Sequence, residues 1–287
     1  MIPRSFRDAP IPRDPAWLAA LPAAIERRLA VWGLRPDGPA AHGSHALVIP
    51  VTRDGTPLVL RLHAPSEDVA EHVAALRFWR GRGTVLLVDA DPAAGAMLLE
   101  RLDRDRGADT LPVTEAVALL GAMARRLAVP APPTARSTAD LARARVASLD
   151  RDWARLGEPF DPAFLRAAER AAAGLVTTSS DLAVDGDLHS AQVLRGTREP
   201  WLAVDPVLLR GDIAYDLARV LWTRLDEMPD PAAITEHFDV VVESAGVPRD
   251  HTRDWMVFRA VDYWLWGLVN GLTEDPVRCH RLVTALG

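Results

Sequence analysis

The sequence predicts an α+β protein in two parts, a small β-rich N-terminal part with one helix and a larger, mainly helical C-terminal part. Strand-like runs dominate up to residue 102, whereas apolar stripes at helical spacing dominate after it. The chain of 287 residues is long for one hydrophobic core and sufficient for two. We therefore expect an N-terminal lobe over residues 1–102, including a leading helical segment, and a helical C-terminal lobe over residues 103–287.

A β-hairpin is predicted early in the first part. Residues 47–53 (LVIPVTR) and 56–63 (TPLVLRLH) are strand-like runs on either side of Asp54-Gly55. That dipeptide favours the positive backbone φ angles of a two-residue hairpin turn. The two runs should therefore pair with each other.

One helix and two further strands should complete the first part. Ser66 is a suitable N-cap for the helix, and Gly81-Arg82-Gly83 should end it. Strand-like runs follow at residues 84–90 and 96–102. The predicted helix buries four apolar residues that share one face: Val69, Val73, Leu76 and Trp79.

The second part should contain several helices and a second hairpin-like pair. Asp161-Pro162 and Asp230-Pro231 each place an acidic N-cap before a proline at the first helical position. Residues 250–272 form a tryptophan-rich helix candidate, and residues 192–195 and 201–204 are the hairpin-like strands. An earlier helix should bury one apolar stripe: Ala116, Leu119, Leu120, Met123 and Leu127.

The composition excludes several classes of protein. A formal charge of −6, with 39 acids against 33 bases, does not suit a nucleic-acid-binding face. All the bases are arginine, which excludes lysine Schiff-base enzymes and P-loop nucleotide sites. The single cysteine, Cys279, excludes an internal disulfide. With no apolar run of membrane-spanning length and no secretory signal, we expect a cytoplasmic protein with neither a nucleic-acid nor a membrane partner.

Three polar residues indicate a phosphoryl-transfer site. Asp187 lies in a loop just before a strand, Gln192 follows five residues later, and Asp205 ends the partner strand. An amide and a carboxylate that converge at one end of a hairpin suit Mg²⁺ with phosphate. A nearby carboxylate can accept a proton from a substrate hydroxyl.

Residues 185–222 carry a family resemblance. They read DGDLHSAQVLRGTREPWLAVDPVLLRGDIAYDLARVLW. This stretch resembles the HGDLHxxNVL, REPWLAIDPK and GDPAYDLA motifs of the aminoglycoside phosphotransferase, protein-kinase-like superfamily, in its streptomycin kinase and hydroxyurea-resistance kinase branch. Two segments of the first part, GTPLVLRLH and LRFWRGRGTVLLVDADPAAGAMLLERL, extend the resemblance over most of the chain. It implies a bilobal protein-kinase-like fold.

The resemblance implies roles for residues in the C-terminal lobe. Asp187 matches the catalytic base that orients and deprotonates the acceptor hydroxyl. Gln192 matches the asparagine that binds the metal, and Asp205 matches the metal-binding aspartate. The implied cofactors are Mg²⁺ and either ATP or GTP.

The N-terminal lobe would bind the nucleotide. Arg61 matches the strand lysine that pairs with the phosphates. Glu100 and Leu102 lie in the segment that joins the lobes, whose backbone would bind the nucleotide base. Gly43 and Ser44 lie in the AHGSHA turn, which occupies the place of the phosphate-covering turn.

Four positions depart from the family pattern. Gln192 replaces asparagine but keeps the carbonyl oxygen, and Arg61 replaces lysine but keeps the positive charge. Val73 stands where the glutamate partner of that lysine is expected, while Glu67 could come near Arg61 if the helix is shifted. Asp185 replaces the histidine that opens the motif.

The leading hypothesis is a small-molecule kinase that phosphorylates a hydroxyl of a streptomycin-like aminoglycoside and so confers resistance, acting as a monomer or homodimer. Two alternatives stay open. One is a degenerate kinase fold that binds nucleotide or ligand without turnover, and the other is a kinase of another metabolite, such as a nucleoside antibiotic. Residues that could contact a cationic acceptor are Asp226, Glu227, Asp262 and Trp264.

Overall fold

A computed structural model of the protein describes residues 2–7, 14–43, 45–63, 69–177 and 180–287. The chain divides into two compact units. The first comprises Met1–Asp103 and Gly196–Leu202, and the second comprises Arg104–Arg195 and Ala203–Gly287. No helix in these described ranges is long and apolar enough to cross a membrane.

The first unit combines a β-sheet with helices that come before its strands in the chain and a helix that comes between two of them. Its elements are α1 (Arg4–Arg7), α2 (Pro15–Val31), β1 (Arg35–Pro36), β2 (Ala41–His42), β3 (Ala46–Arg53), β4 (Thr56–His63), α3 (Val69–Trp79), β5 (Leu87–Asp91) and β6 (Ala96–Glu100). The strand order of the sheet is β1-β3-β4-β6-β5, and β2 also pairs with β3.

The predicted hairpin is confirmed. Strands β3 and β4 pair antiparallel, from Ala46 opposite His63 to Arg53 opposite Thr56. Between them Asp54 and Gly55 have φ angles of 51° and 79°. A non-glycine residue with positive φ is uncommon, and aspartate tolerates it better than most, which explains this turn sequence.

The predicted helix stripe is also confirmed. Val69, Val73, Leu76 and Trp79 of α3 are all at most 3% exposed. Val69, Val73 and Leu76 pack with Met97 and Leu99 of β6, so α3 is stabilised by the apolar area it covers on the sheet. The predicted N-cap Ser66 lies outside the described residues.

Strand β5 begins three residues later than predicted. Two side chains form hydrogen bonds with the backbone of residues 84–86. Arg198 donates to the Thr84 carbonyl at 2.8 Å, and the Glu100 carboxylate accepts from the Leu86 N–H at 3.0 Å. Regular pairing with the neighbouring strand begins at Leu87, which lies opposite Leu99.

The second unit is mainly helical. Strands β7 (Asp103–Gly107) and β11 (Trp201–Ala203) lie where the chain passes between the units. The other elements are α4 (Val113–Leu127), β8 (Arg136–Ser137), α5 (Thr138–Arg155), α6 (Pro162–Leu175), β9 (Leu182–Asp185), β10 (Val193–Arg195), β12 (Leu208–Gly211), α7 (Ala214–Trp222), α8 (Pro231–Ala245), α9 (Arg249–Val269) and α10 (Glu274–Leu286).

The predicted helix starts are confirmed by their caps. The Asp161 carboxylate accepts from the Ala163 N–H at 2.7 Å at the start of α6. The Asp230 carboxylate accepts from the Ala233 N–H at 2.9 Å at the start of α8. Each cap satisfies a backbone donor that has no partner within the helix.

The tryptophan-rich helix α9 ends three residues before the predicted end. Its C-cap is Asn270, and Gly271 follows with a φ of 71°, which the helix cannot continue. Trp255 and Trp264 of α9 are buried at 0% and 8% exposure, whereas Trp266 is 48% exposed. Most of the tryptophan area of this helix therefore belongs to the core.

A three-stranded sheet, which the sequence did not predict, positions the site. Strand β12 pairs with β8 in parallel and with β9 antiparallel. Leu208 lies opposite Asp185, and Gly211 lies opposite Leu182. This pairing fixes Asp185 at the end of β9, directly before the loop of residues 186–191, which we call the base loop.

Candidate active site

The base loop presents Asp187 with a partner on each carboxylate oxygen. Oδ2 accepts a hydrogen bond from Nε2 of Gln192 at 2.8 Å. Oδ1 forms an ion pair with Nε of Arg219 at an N–O distance of 2.7 Å. The Asp187 side chain remains 33% exposed. These two contacts fix the orientation of the carboxylate while leaving lone pairs for a further donor.

Gln192 connects the base loop to the segment that carries Asp205. Its backbone carbonyl accepts a hydrogen bond from the Val204 N–H at 2.9 Å. This bond holds Val204, the residue directly before Asp205, next to Gln192. Because the amide nitrogen of Gln192 is directed at Asp187, its Oε1 points elsewhere. That oxygen is buried and has no hydrogen-bond partner in the described part of the protein.

The donor set fits Mg²⁺. An orphaned buried carbonyl oxygen is costly unless another group binds it. The Asp205 carboxylate is near enough to raise the pKa values of Asp185 and Asp187 electrostatically. Carbonyl and carboxylate oxygens are the ligands that this hard cation prefers.

Three carboxyl groups, Asp185, Asp187 and Asp216, form what we call the acid cluster. Burial is the main cause of a raised pKa at each of them, because it disfavours the charged form. The pKa of Asp185 rises to about 7. At Asp216, repulsion from Asp185 adds to the effect of burial. At Asp187, the charge of Arg219 and the hydrogen bond from Gln192 oppose the rise in pKa.

His189 is neutral in this site. Burial, followed by the charge of Arg219, lowers its pKa to about 3. Its Nε2 lies 4.0 Å from Oδ2 of Asp187, so the contact is not that of an ion pair between charged groups.

The sequence reasoning did not identify Arg219 and Arg259. Arg219 lies on α7 three residues after Asp216, and this spacing places both on one side of the helix. Arg259 of α9 lies 3.8 Å above the ring of Tyr215, and its charge lowers the pKa of Asp187. The spacing in DLAR could have indicated Arg219, but no sequence signal indicates Arg259.

The predicted nucleotide-binding residues lie in the first unit. Arg61 is half-buried on β4, opposite Val48 and Met97. Gly43 follows β2 and donates its N–H to the Ala46 carbonyl at 3.0 Å. Ser44 lies outside the described residues.

The other two predicted nucleotide contacts are Glu100, the last residue of β6, and Leu102, two residues after it. The Glu100 N–H donates to the Leu86 carbonyl at 2.9 Å, and its carboxylate pairs with Arg198 at 3.1 Å. Leu102 is half-buried against the α3 side of the sheet. The roles of Glu100 and Leu102 stay predictions.

The predicted acceptor contacts are spread over the second unit. Asp226 and Glu227 are exposed. Asp226 forms an ion pair with Arg278, and Glu227 forms one with Arg224. Asp262 pairs with Arg145 at 2.6 Å. Trp264 is buried, with its ring 4.2 Å from that of Phe160. Their contact with an acceptor stays a prediction.

Val73 of α3 lies on the predicted buried face of the helix. Val73 is 2% exposed in the core, and Glu71 is exposed. Glu67 lies outside the described residues, so its approach to Arg61 stays a hypothesis.

Comparisons with known proteins identify the family of this chain. The family described as aminoglycoside/hydroxyurea antibiotic resistance kinase matches residues 31–271. Streptomycin 6-kinase of Streptomyces glaucescens is 38% identical over 269 residues, which cover 91% of this chain and 88% of that protein. Hydroxyurea phosphotransferase of Kitasatospora aureofaciens is 36% identical and covers 91% and 77% of the two chains.

Solved structures share the fold. A thermostable mutant of aminoglycoside phosphotransferase APH(4)-Ia, in complex with ADP and hygromycin B, has a TM-score of 0.61 at 17% identity, covering 91% and 97% of the chains. A choline/ethanolamine kinase family protein from Mesorhizobium loti has a TM-score of 0.60 at 17% identity, covering 91% and 93%. The expected kinase-like fold is confirmed. The chain belongs to the aminoglycoside/hydroxyurea antibiotic resistance kinase family.

Proposed function

We propose that this protein transfers the terminal phosphate of a nucleoside triphosphate to a hydroxyl group of an aminoglycoside antibiotic of the streptomycin type. The observation that carries the proposal is the double role of Gln192. Its amide nitrogen orients Asp187 at 2.8 Å, and its buried carbonyl oxygen is left over for a cation. A kinase-like protein without catalytic activity would need neither an oriented Asp187 nor a free buried oxygen on Gln192.

Asp187 acts as the base. Its carboxylate accepts the proton of the acceptor hydroxyl as that oxygen attacks the terminal phosphorus, and the bond to the leaving nucleoside diphosphate breaks. Burial raises the pKa of Asp187, which strengthens it as a proton acceptor. Arg219 and Gln192 hold the carboxylate in one orientation, so the hydroxyl meets a preorganised group.

Gln192 and Asp205 would hold Mg²⁺. The Gln192 Oε1 supplies a neutral oxygen, and the Asp205 carboxylate supplies a charged one. When bound, the cation neutralises phosphate charge that develops during transfer. The glutamine side chain reaches Asp187 with its Nε2 and keeps its Oε1 for the cation. The replacement of asparagine by glutamine therefore preserves both the donor nitrogen and the ligand oxygen.

The nucleotide is proposed to be ATP or GTP, with Arg61 as the partner of its phosphates. A guanidinium binds phosphate in a bidentate way, so the charge of the family lysine is retained with a different geometry. The ADP complex of aminoglycoside phosphotransferase APH(4)-Ia supports an adenine nucleotide. We place the enzyme in the cytoplasm, where nucleoside triphosphates are available.

A second acceptor has support of similar weight. Hydroxyurea phosphotransferase is 36% identical to this chain, against 38% for streptomycin 6-kinase. Hydroxyurea is a small neutral molecule, whereas streptomycin is a large cation. The two acceptors therefore place different demands on the charge around Asp187, where Arg219 already balances the carboxylate.

The test measures kcat/KM for streptomycin, hygromycin B and hydroxyurea, each with ATP and with GTP in the presence of Mg²⁺. We expect the largest value for streptomycin, with a product phosphorylated on a hydroxyl oxygen. A larger value for hydroxyurea would retain the kinase and replace the acceptor. Tight nucleotide binding without transfer to any acceptor would overturn the proposal in favour of a binding protein.

A further inference from the structure

Asp185 occupies an unusual position directly beneath the base loop. It is the last residue of β9, lies opposite Leu208 of β12, and is 1% exposed. At this depth its carboxyl group cannot touch an acceptor molecule. A buried aspartate at the end of a strand normally needs partners for its oxygens, and those partners reveal what it does.

One oxygen of Asp185 binds two separate segments of the site. Oδ1 accepts a hydrogen bond from the Asp187 N–H at 3.2 Å and another from the Val207 N–H at 3.0 Å. The first donor belongs to the catalytic base itself. The second lies two residues after Asp205, the proposed metal ligand. A third bond, from the Gly186 N–H to the Val207 carbonyl at 2.8 Å, runs alongside.

These bonds complement the contact at the other end of the site. There, the Val204 N–H donates to the Gln192 carbonyl, which joins the same two segments beyond Asp187 and before Asp205. The two functional residues are therefore held between two bridges. Of these two bridges, the one at Asp185 is formed by a side chain, so a substitution can remove it.

We propose that Asp185 is a positioning residue, whose Oδ1 sets the separation between Asp187 and the segment that carries Asp205. The inference rests on the proposed kinase function. The role requires a hydrogen-bond acceptor at Oδ1 and does not require a negative charge. Transfer is sensitive to such positioning, since a displacement of about 1 Å can lower a rate on the order of 10²-fold.

The surroundings of the second oxygen agree with this role. Oδ2 of Asp185 is buried and has no hydrogen-bond partner among the residues described. Burial raises the pKa of this group to about 7, and it also raises the pKa of the neighbouring Asp216. An uncharged group that keeps one carbonyl oxygen should therefore be well tolerated.

The test compares two substitutions of Asp185 that differ in one property. Asp185→Asn keeps an acceptor oxygen in a side chain of the same shape. Asp185→Val removes the acceptor with a residue suited to a strand. We expect kcat within about threefold of the wild type for Asn and a loss of about 10²-fold for Val. The KM for acceptor and the Kd for nucleotide should change little in either variant.

Two outcomes of this comparison would overturn the proposal. If Asp185→Asn lost as much kcat as Asp185→Val, charge rather than hydrogen-bond acceptance would be required, and the proposal would be overturned. Full activity of Asp185→Val would overturn it equally. If Asp185→Val does not fold, the kcat of Asp185→Asn still tests the proposal, because a large loss in that variant would show that the negative charge is required.

Amide hydrogen exchange separates this proposal from the proposed function. In the wild type and in Asp185→Asn, the N–H groups of Asp187 and Val207 should exchange slowly, and in folded Asp185→Val at least about tenfold faster. This readout needs no substrate. Unchanged exchange in Asp185→Val would refute the bridge, whereas absence of phosphate transfer by the wild type would refute only the kinase.

Discussion

The second unit holds two groups of acids in opposite environments. In the acid cluster, burial raises the pKa of each carboxyl group and brings that of Asp185 to about 7. At the surface, hydrogen bonds from Arg278 and Arg224 lower the pKa values of Asp226 and Glu227. The same residue types therefore differ in proton affinity because of burial and pairing.

The difference indicates where proton chemistry can occur. A surface acid with a paired guanidinium stays charged and is a poor proton acceptor. Asp187 combines partial burial with 33% exposure, so it can both bind a proton and reach a substrate. The following changes test this contrast, beginning with the largest expected effect.

Replacing Asp187 should give the largest effect on turnover. Asp187→Ala removes the proposed base, which also orients the hydroxyl in our proposal, so kcat should fall on the order of 10³-fold. Nucleotide binding, measured by titration calorimetry, should be retained. Asp239→Ala is the matched control, because Asp239 is exposed and paired with Arg249 at 2.7 Å. Equal loss in both variants would remove the distinction between buried and surface acids.

Shortening Gln192 should weaken both contacts of its side chain. Gln192→Ala removes the hydrogen bond to Asp187 and the buried Oε1, so we expect kcat to fall about 10²-fold. The Mg²⁺ concentration for half-maximal rate should rise. Gln192→Asn restores the family residue and should recover most of the rate. An unchanged Mg²⁺ requirement in Gln192→Ala would contradict the assignment of Oε1 as a ligand.

The raised pKa of Asp185 predicts a pH-dependent stability. Its pKa is 3.8 in the unfolded chain and about 7 in the folded protein, so between these values the folded state binds the additional proton. The stabilisation is fully present below pH 4 and is lost as the pH rises through 7. Its size is on the order of a few kcal/mol.

Asp185→Asn removes this dependence. The difference in free energy of unfolding between the wild type and the variant, from urea denaturation at several pH values, should therefore turn against the wild type between pH 4 and 7. A difference that stays constant over this range would show that the carboxyl group is not perturbed by burial.

The surface acids should give the smallest effect, with the opposite sign. Their lowered pKa values mean that the stabilisation is present above the unfolded pKa and is lost as the pH falls through the folded pKa. Because Asp226 is 62% and Glu227 48% exposed, solvent screening limits each pair to less than about 1 kcal/mol. Asp226→Asn and Glu227→Gln should lower the melting temperature slightly at pH 7.

The same two variants test the predicted acceptor contacts. If Asp226 or Glu227 binds a cationic acceptor, its neutral variant should raise the KM for streptomycin and leave the Kd for nucleotide unchanged. An unaltered KM in both variants would remove these residues from the acceptor site.

Local sequence signals predicted much of the fold. Asp54-Gly55, the stripe of α3 and the aspartate caps of α6 and α8 each depend on residues close in the chain, so their patterns are readable directly. Strands β9 and β12 were not predicted, because each has four residues and gains its stability from pairing across more than 20 positions.

The motif identified the central candidate residues of the site, and their roles stay predictions. Asp187, Gln192 and Asp205 follow from the motif, and the structure adds the contact between the first two. Arg259 was not predictable, because it approaches from α9, more than 70 positions away. The double hydrogen bond of Asp185 depends on the β9–β12 register, which the sequence did not reveal.

The most direct test of the account follows labelled terminal phosphate from ATP with Mg²⁺ and streptomycin, alongside nucleotide binding to the same preparation. We predict one phosphorylated acceptor for each ADP formed by the wild type, and bound ATP without transfer in Asp187→Ala. Nucleotide binding by both proteins with no phosphorylated acceptor from either would contradict the account, because the acid cluster would then serve only the fold.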